Sequence, residues 1–304
     1  MTALRLISSR HHRYGEQLRF LRSFAACALQ ASGERSAIWY WHGHDPRCLA
    51  VREMPDGLEV VGEEAVARRV FRTDIADVLP EGALPDEPAA HRLLHRRCAG
   101  IRPVLFANAF EGIAWTILGQ QISVTMAARL KNNIAARYGV PVAGLTEPVR
   151  LFPRADHLLA ASVQDLRELQ LSQAKATTLL ALARHIAEGD WDEDSLLGQP
   201  TAEAVAHLEW FRGIGRWSAE YILLRVVGHP DVIPAGDVVL QRAWSRLTGT
   251  PVREAELRQA GEAWNGWRSD FAFCLWPDNV AQRNASGAGP WRCGSGPKRN
   301  SSTE

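Results

Sequence analysis

The stretch LEWFRGIGRWSAEYILLRVVGHPDVIPAGDVVLQR, residues 208–242, constrains this chain more than any other. Helical periodicity runs up to Trp210 and resumes at Ser218. Two helices must therefore double back through Phe211-Arg212-Gly213-Ile214-Gly215-Arg216. Gly213 and Gly215 permit backbone conformations and close approaches that a side chain would block. The second helix presents free N–H groups in its first turn, where an anion can bind. A nucleic-acid phosphate held in this way needs no lysine, and the contact positions a protein without reading sequence. The same two glycines would also serve an ordinary helix–turn–helix corner.

Charge fits main-chain recognition. Lys plus Arg is 35 and Asp plus Glu is 34, a net +1, so no global positive field is available. Arginine supplies most of the positive charge and suits phosphate, although an arginine-rich coding bias gives the same count.

Beyond the hairpin comes Pro234-Ala235-Gly236-Asp237. Proline and glycine make a sharp entry, and Asp237 falls at the N-cap of a helix running through Arg242. Asp237 is either a cap alone or a carboxylate held rigidly at the mouth of a cleft.

The surrounding pattern is mainly helical. Residues 1–98 read as a small α+β unit: a helix over 13–29, strands at 37–41, 47–53 and 57–62, and a helix over 63–71. A loop is expected at 79–88. Residues 99–283 read as a helical domain. Its first helix starts at Pro103 and runs to Leu118, with Gly119-Gln120-Gln121 breaking the pattern. Ile122, Met126, Leu130, Ile134 and Tyr138 then repeat at four-residue spacing. Helices follow at 163–169, 173–188, 201–210, 218–227, 238–247, 254–265 and 267–276, with no strand expected after residue 100. The tail, 284–304, is rich in Gly, Ser, Pro and basic residues and is expected to be disordered.

With 46% apolar residues the chain can bury a core, and no long uninterrupted apolar run suggests a membrane span. Five scattered cysteines (Cys27, Cys48, Cys98, Cys274, Cys293) form no C-x-x-C and fit neither a zinc nor an iron–sulfur ligand set. Reduced thiols in a cytoplasmic protein are the expectation.

A helix–hairpin–helix, a Gly/Pro-rich loop and one aspartate together resemble the helix–hairpin–helix DNA glycosylase superfamily. GIGRWSAEYILLR and ILGQQISVTMAARL resemble its 3-methyladenine DNA glycosylase II branch, and LQLSQAKATTLLALA is a further matching block. The likeness covers about residues 106–276, and more loosely the N-terminal unit. The fold it implies is a helix–hairpin–helix glycosylase core with a small N-terminal α+β domain.

The activity it implies is excision of flipped alkylated purines from double-stranded DNA, with Asp237 as the catalytic carboxylate. Trp217 stands where bifunctional members carry a Schiff-base lysine, which implies hydrolysis without strand cleavage. Trp217, Tyr221 and Trp276 would wall the base pocket, where rings stack on a cationic base. Gln120, Gln121 and Ile122 would enter the duplex, although the resembled enzymes carry a leucine where Gln121 stands. Gly213, Gly215 and Arg216 would hold phosphate. No metal ligands, cofactor or iron–sulfur cluster are implied, while the hairpin could bind a monovalent cation through main-chain carbonyls. A monomer in the bacterial cytoplasm, at the nucleoid and without a membrane anchor, is the implied setting. Two other readings stay open: a glycosylase for oxidised or deaminated bases, and a non-catalytic DNA-binding module.

Overall fold

The computed structural model describes residues 4–6, 12–24, 29–73 and 89–276. The loop expected at 79–88 and the tail expected at 284–304 lie outside the described residues, as does 277–283.

The N-terminal part builds one antiparallel sheet. Its strands are β1 (Leu4–Leu6), β2 (Leu29–Ser32), β3 (Arg35–His42), β4 (Asp45–Met54) and β5 (Gly57–Val61), in the order β1-β5-β4-β3-β2. The expected hairpin is present, with Val51 opposite Val60 and Glu53 opposite Leu58. Helices α1 (Tyr14–Ser23) and α2 (Glu64–Phe71) accompany the sheet. The first helix is shorter than expected. The chain has returned to extended backbone by Phe24 and pairs as a strand from Leu29, with Leu29 opposite Ile38. Strand pairing across a turn thus overrides local helical periodicity.

The helical part consists of α3 (Ala89–Cys98), α4 (Ala109–Gly119), α5 (Val124–Tyr138), α6 (Ala155–Leu158), α7 (Val163–Glu168), α8 (Gln173–Ala187), α9 (Glu193–Gly198), α10 (Thr201–Glu209), α11 (Arg216–Ile222), α12 (Val238–Thr248), α13 (Glu254–Glu262) and α14 (Arg268–Leu275). A turn of π-helix, Leu223–Val227, extends α11 and closes at Gly228 with φ +80°. Two short strands, β6 (Val140–Val142) and β7 (Val149–Leu151), pair between α5 and α6, where no strand was expected.

Pro103 does not start a helix. Residues 101–106 are buried and extended, with the N–H of Leu105 donating to Val70 O and that of Phe106 to Arg225 O. These partners are distant in sequence, so local pattern could not show them. α4 begins only at Ala109 and is buried from Phe110 to Leu118.

One core runs through both parts. Gln17 on α1 donates to Phe71 O and Arg102 O, and the rings of Phe20 and Phe273 lie 4.8 Å apart. Arg225 is buried within a cage of rings, its guanidinium 4.8 Å from Phe20, 4.9 Å from Phe24 and 5.7 Å from Trp276. Its Nε donates to Val104 O, satisfying part of a charge that would otherwise be costly to bury. Arg102 and Asp270 form a buried ion pair at 3.3 Å, which fixes this segment to the start of α14. Cys98 on α3 and Cys274 on α14 lie side by side, with Cα atoms 5.7 Å apart. Cys48 is free.

His91 is buried against Trp244 and Phe271 and accepts the Trp264 indole N–H through Nδ1 at 2.8 Å. Burial lowers its pKa. Protonating Nδ1 would break that bond, so the folded state prefers the neutral ring. The ring's contribution is present above the ordinary histidine value of about 6.5 and is lost as pH falls below it. The stability of His91→Gln relative to wild type should therefore improve between pH 7 and pH 5. Chemical denaturation at several pH values measures this, and the paired comparison cancels buried carboxylates of opposite sign.

Candidate active site

The hairpin between α10 and α11 is built on one glycine that conformation requires and another that it does not. Gly213 has φ +94°, and a Cβ there would collide with Thr178 Oγ1. Gly215 is the N-cap of α11 with φ −97°, which any residue can adopt, and a Cβ there would meet nothing within 4 Å. Neither backbone nor packing demands glycine at Gly215. Close approach by something outside the chain is the remaining physical reason for it. The first intrahelical bond of α11 is Ala219 N–H to Gly215 O, so the N–H groups of Arg216–Ser218 precede the ladder. Arg216 is half tied, donating to the buried Glu220 at 3.0 Å while its side chain stays largely exposed.

Three hairpin carbonyls already accept protein hydrogen bonds: Phe211 O from Ile214 N–H, Arg212 O from Thr178 Oγ1, and Gly213 O from Gln120 Nε2. Among the described residues no group of three or more His, Cys, Asp or Glu could hold a metal ion.

Asp237 is the N-cap of α12, as expected. Its Oδ1 accepts from Val239 N–H at 2.7 Å and Leu240 N–H at 3.2 Å. Oδ2 faces the other way and accepts from the Trp217 indole at 3.4 Å, and the Trp276 indole also hydrogen-bonds the carboxylate. The cap is thus present, and the second oxygen of the same carboxylate faces Trp217. The loop before it is fixed by Asp237 N–H to Pro234 O, Gln241 Nε2 to Ala235 O, and Val232 N–H to Ser269 Oγ.

The three pocket aromatics form one column. Trp217 and Tyr221 lie one turn apart on α11 with centroids 5.5 Å apart, and Tyr221 lies 5.6 Å from Trp276 at the end of α14. The structure therefore brings Asp237, Trp217, Tyr221 and Trp276 together. Arg225, behind Trp276, was not singled out from the sequence, because a lone arginine inside an apolar helix gives no signal of a ring cage.

Gln121 and Ile122 project from the α4–α5 junction. Gln121 has φ +57° and is exposed, and Ile122 is exposed beside it. Gln120 behaves differently. Its amide donates to Gly213 O and to Ser218 Oγ, both at 2.9 Å, so it faces the hairpin.

A family model for HhH-GPD superfamily base excision DNA repair proteins matches residues 114–268. The chain belongs to the HhH-GPD superfamily. The DNA-3-methyladenine glycosylase 2 of Escherichia coli is 32% identical over 222 residues, covering 72% of this chain and 73% of that one. A DNA-3-methyladenine glycosylase of Bacillus subtilis is 27% identical over 184 residues, and the chain spans 60% of its length. A solved 3-methyladenine DNA glycosylase from Archaeoglobus fulgidus superposes with TM-score 0.73 at 27% identity, covering 91% of this chain and 98% of that one. The helix–hairpin–helix core with its N-terminal sheet is thus the HhH-GPD arrangement.

Burial raises the pKa of Asp237, opposed by hydrogen bonds from Leu240, Val239, Trp217 and Trp276. A carboxyl whose folded pKa is raised contributes stability below its unfolded value and loses it as pH rises through the folded value. Near neutral pH the ionised group therefore costs stability. Asp237→Asn should unfold at a higher temperature than wild type at pH 7.5, with the gap closing toward pH 4. Scanning calorimetry at the two pH values checks the sign.

Proposed function

We propose that this chain is a monofunctional DNA glycosylase of base excision repair. Its substrates are alkylated purines, 3-methyladenine and 7-methylguanine, flipped out of double-stranded DNA. It acts as a monomer at the bacterial nucleoid. The observation that carries this reading is the Asp237 carboxylate, fixed by two main-chain N–H groups with its second oxygen against the ring column. An alkylated purine already carries positive charge. Trp217, Tyr221 and Trp276 offer ring faces that attract such a cation, and the base leaves as a good leaving group without an added proton.

As the glycosidic bond stretches, positive charge grows on the sugar. A fixed anion nearby stabilises that charge, and its free oxygen can accept a proton from the attacking water. Water then adds at the anomeric carbon, and the products are the free base and an abasic site. The raised pKa of Asp237 suits the second role, since a stronger base accepts a proton more readily.

Among the described residues both lysines are engaged by other groups. Position 217 is a tryptophan. Lys131 is buried in an ion pair with Glu111 at 2.7 Å. The Lys175 ammonium is held by Leu118 O and Gln120 O. Lys298, the remaining lysine, lies outside the described residues.

Support for the reading also comes from the similarity to the 3-methyladenine DNA glycosylases of Escherichia coli, Bacillus subtilis and Archaeoglobus fulgidus. The test is incubation with duplexes that each carry one lesion, followed by base analysis and borohydride trapping. Release of 3-methyladenine and 7-methylguanine is expected, leaving an intact strand that breaks only on alkaline treatment. Asp237→Asn should slow release by about 100-fold or more while still binding the duplex. Release of oxidised or deaminated bases alone would redirect the specificity, no release from any duplex would favour a binding module, and a trapped covalent adduct would overturn the monofunctional assignment.

A further inference from the structure

α8 touches both loops that the reading above places on DNA. Near its N-terminus Lys175 reaches the α4–α5 junction, where its Nζ donates to Leu118 O at 2.7 Å and to Gln120 O at 2.8 Å. One turn later, on the same face, Thr178 Oγ1 donates to Arg212 O in the hairpin at 3.1 Å. Gln120 closes the circuit between the two loops through Gly213 O and Ser218 Oγ. Lys175 also opposes the partial negative charge that collects at the C-terminus of α4, where carbonyls lack intrahelical partners.

The residue next to this clamp, Gln121, holds a left-handed φ of +57° without being glycine. Such a conformation persists where the surroundings over-determine it. The surroundings here are the two Lys175 bonds on one side, the Gln120 bonds on the other, and the Ser123 side chain capping Met126 N–H to start α5.

We propose that Lys175 is a positioning residue that fixes the reach of Gln121 and Ile122, and that through Gln120 it couples the grip of the hairpin on phosphate to the filling of the gap left by a flipped base. The proposal rests on the glycosylase reading only for what the loop meets. In this arrangement a phosphate held at the hairpin sets the hairpin's position, the hairpin sets Gln120, and Lys175 prevents the junction from yielding when Gln121 and Ile122 press into the stack. The ammonium acts through the loop and contacts neither the base nor the sugar. Arginine can donate to the same two carbonyls, whereas methionine, of similar length, cannot donate at all.

The experiment measures binding of the full chain to two duplexes, one undamaged and one with a tetrahydrofuran abasic analogue. It compares wild type, Lys175→Met, Lys175→Arg and Gln120→Ala. Hydrogen exchange across 119–123 is recorded on each free protein. Wild type should prefer the abasic duplex. Lys175→Met should lose about tenfold of that preference while binding undamaged duplex within about twofold of wild type, since the missing charge-assisted bonds matter only where the loop must hold its shape against the stack. Lys175→Arg should restore most of it. Exchange at 119–123 should speed up in Lys175→Met.

Equal losses on both duplexes would make Lys175 an ordinary phosphate contact, and unchanged preference with unchanged exchange would make it a bystander. Either result overturns the proposal. Should Lys175→Met fail to fold, Gln120→Ala carries the same expectation, and unchanged preference in that variant overturns the coupling. Absence of abasic preference in wild type would instead strike the glycosylase reading itself.

Discussion

A single carboxylate at the start of α12 caps that helix and faces the ring column, and the candidate site depends on both. Asp237 Oδ1 completes the helix by accepting two main-chain N–H groups, which leaves Oδ2 facing Trp217. Capping is worth about 1 kcal/mol and fixes the side chain in one orientation. The proposed reaction depends on that orientation, since an anion that had to swing into place would lose most of its advantage over water. Burial exacts its cost as a raised pKa, partly offset by the donors around the group.

The rest of the fold delivers partners to that carboxylate. α11 brings Trp217 and Tyr221 at helical spacing, and its N-terminus forms one side of the hairpin. The π-turn at Leu223–Val227 carries Arg225 into its ring cage behind Trp276 and ends the helix so that the chain can return toward Asp237. π-turns within helices are often found where such redirection serves a site. The buried Arg102–Asp270 pair and the packing of Cys98 beside Cys274 hold α14, which ends at Trp276, against the segment leading from the N-terminal unit. The N-terminal sheet is therefore part of the support of the pocket, through a core shared from Leu18 to Phe273.

What was legible in the sequence was local. The Gly213-Ile214-Gly215 hairpin and the Asp237 cap are short-range devices with few structural alternatives, and both stand where the pattern placed them. Trp217 and Tyr221 could be paired because helical spacing is a rule of geometry. Elements decided by distant partners were not legible. Residues 101–106 look like the start of a helix after Pro103, but their N–H groups are claimed by Val70 and Arg225. β2 hides at the end of a helical pattern until β3 pairs with it. Gln120 is expected in the duplex beside Gln121 and Ile122, and only the approach of the hairpin turns its amide toward Gly213 and Ser218. Nothing local marks Lys175, because the carbonyls that hold it lie more than fifty residues earlier.

The central claim is that an ionised Asp237, desolvated by its pocket, drives bond cleavage. The most direct measurement is the single-turnover rate of 7-methylguanine release as a function of pH. That base carries a fixed charge, so its own protonation does not enter the profile. One rising limb is expected, with a midpoint above the ordinary carboxylate value of about 4, flattening toward neutral pH, and absent in Asp237→Asn. A rate independent of pH in wild type, or the same rising limb in Asp237→Asn, would contradict it.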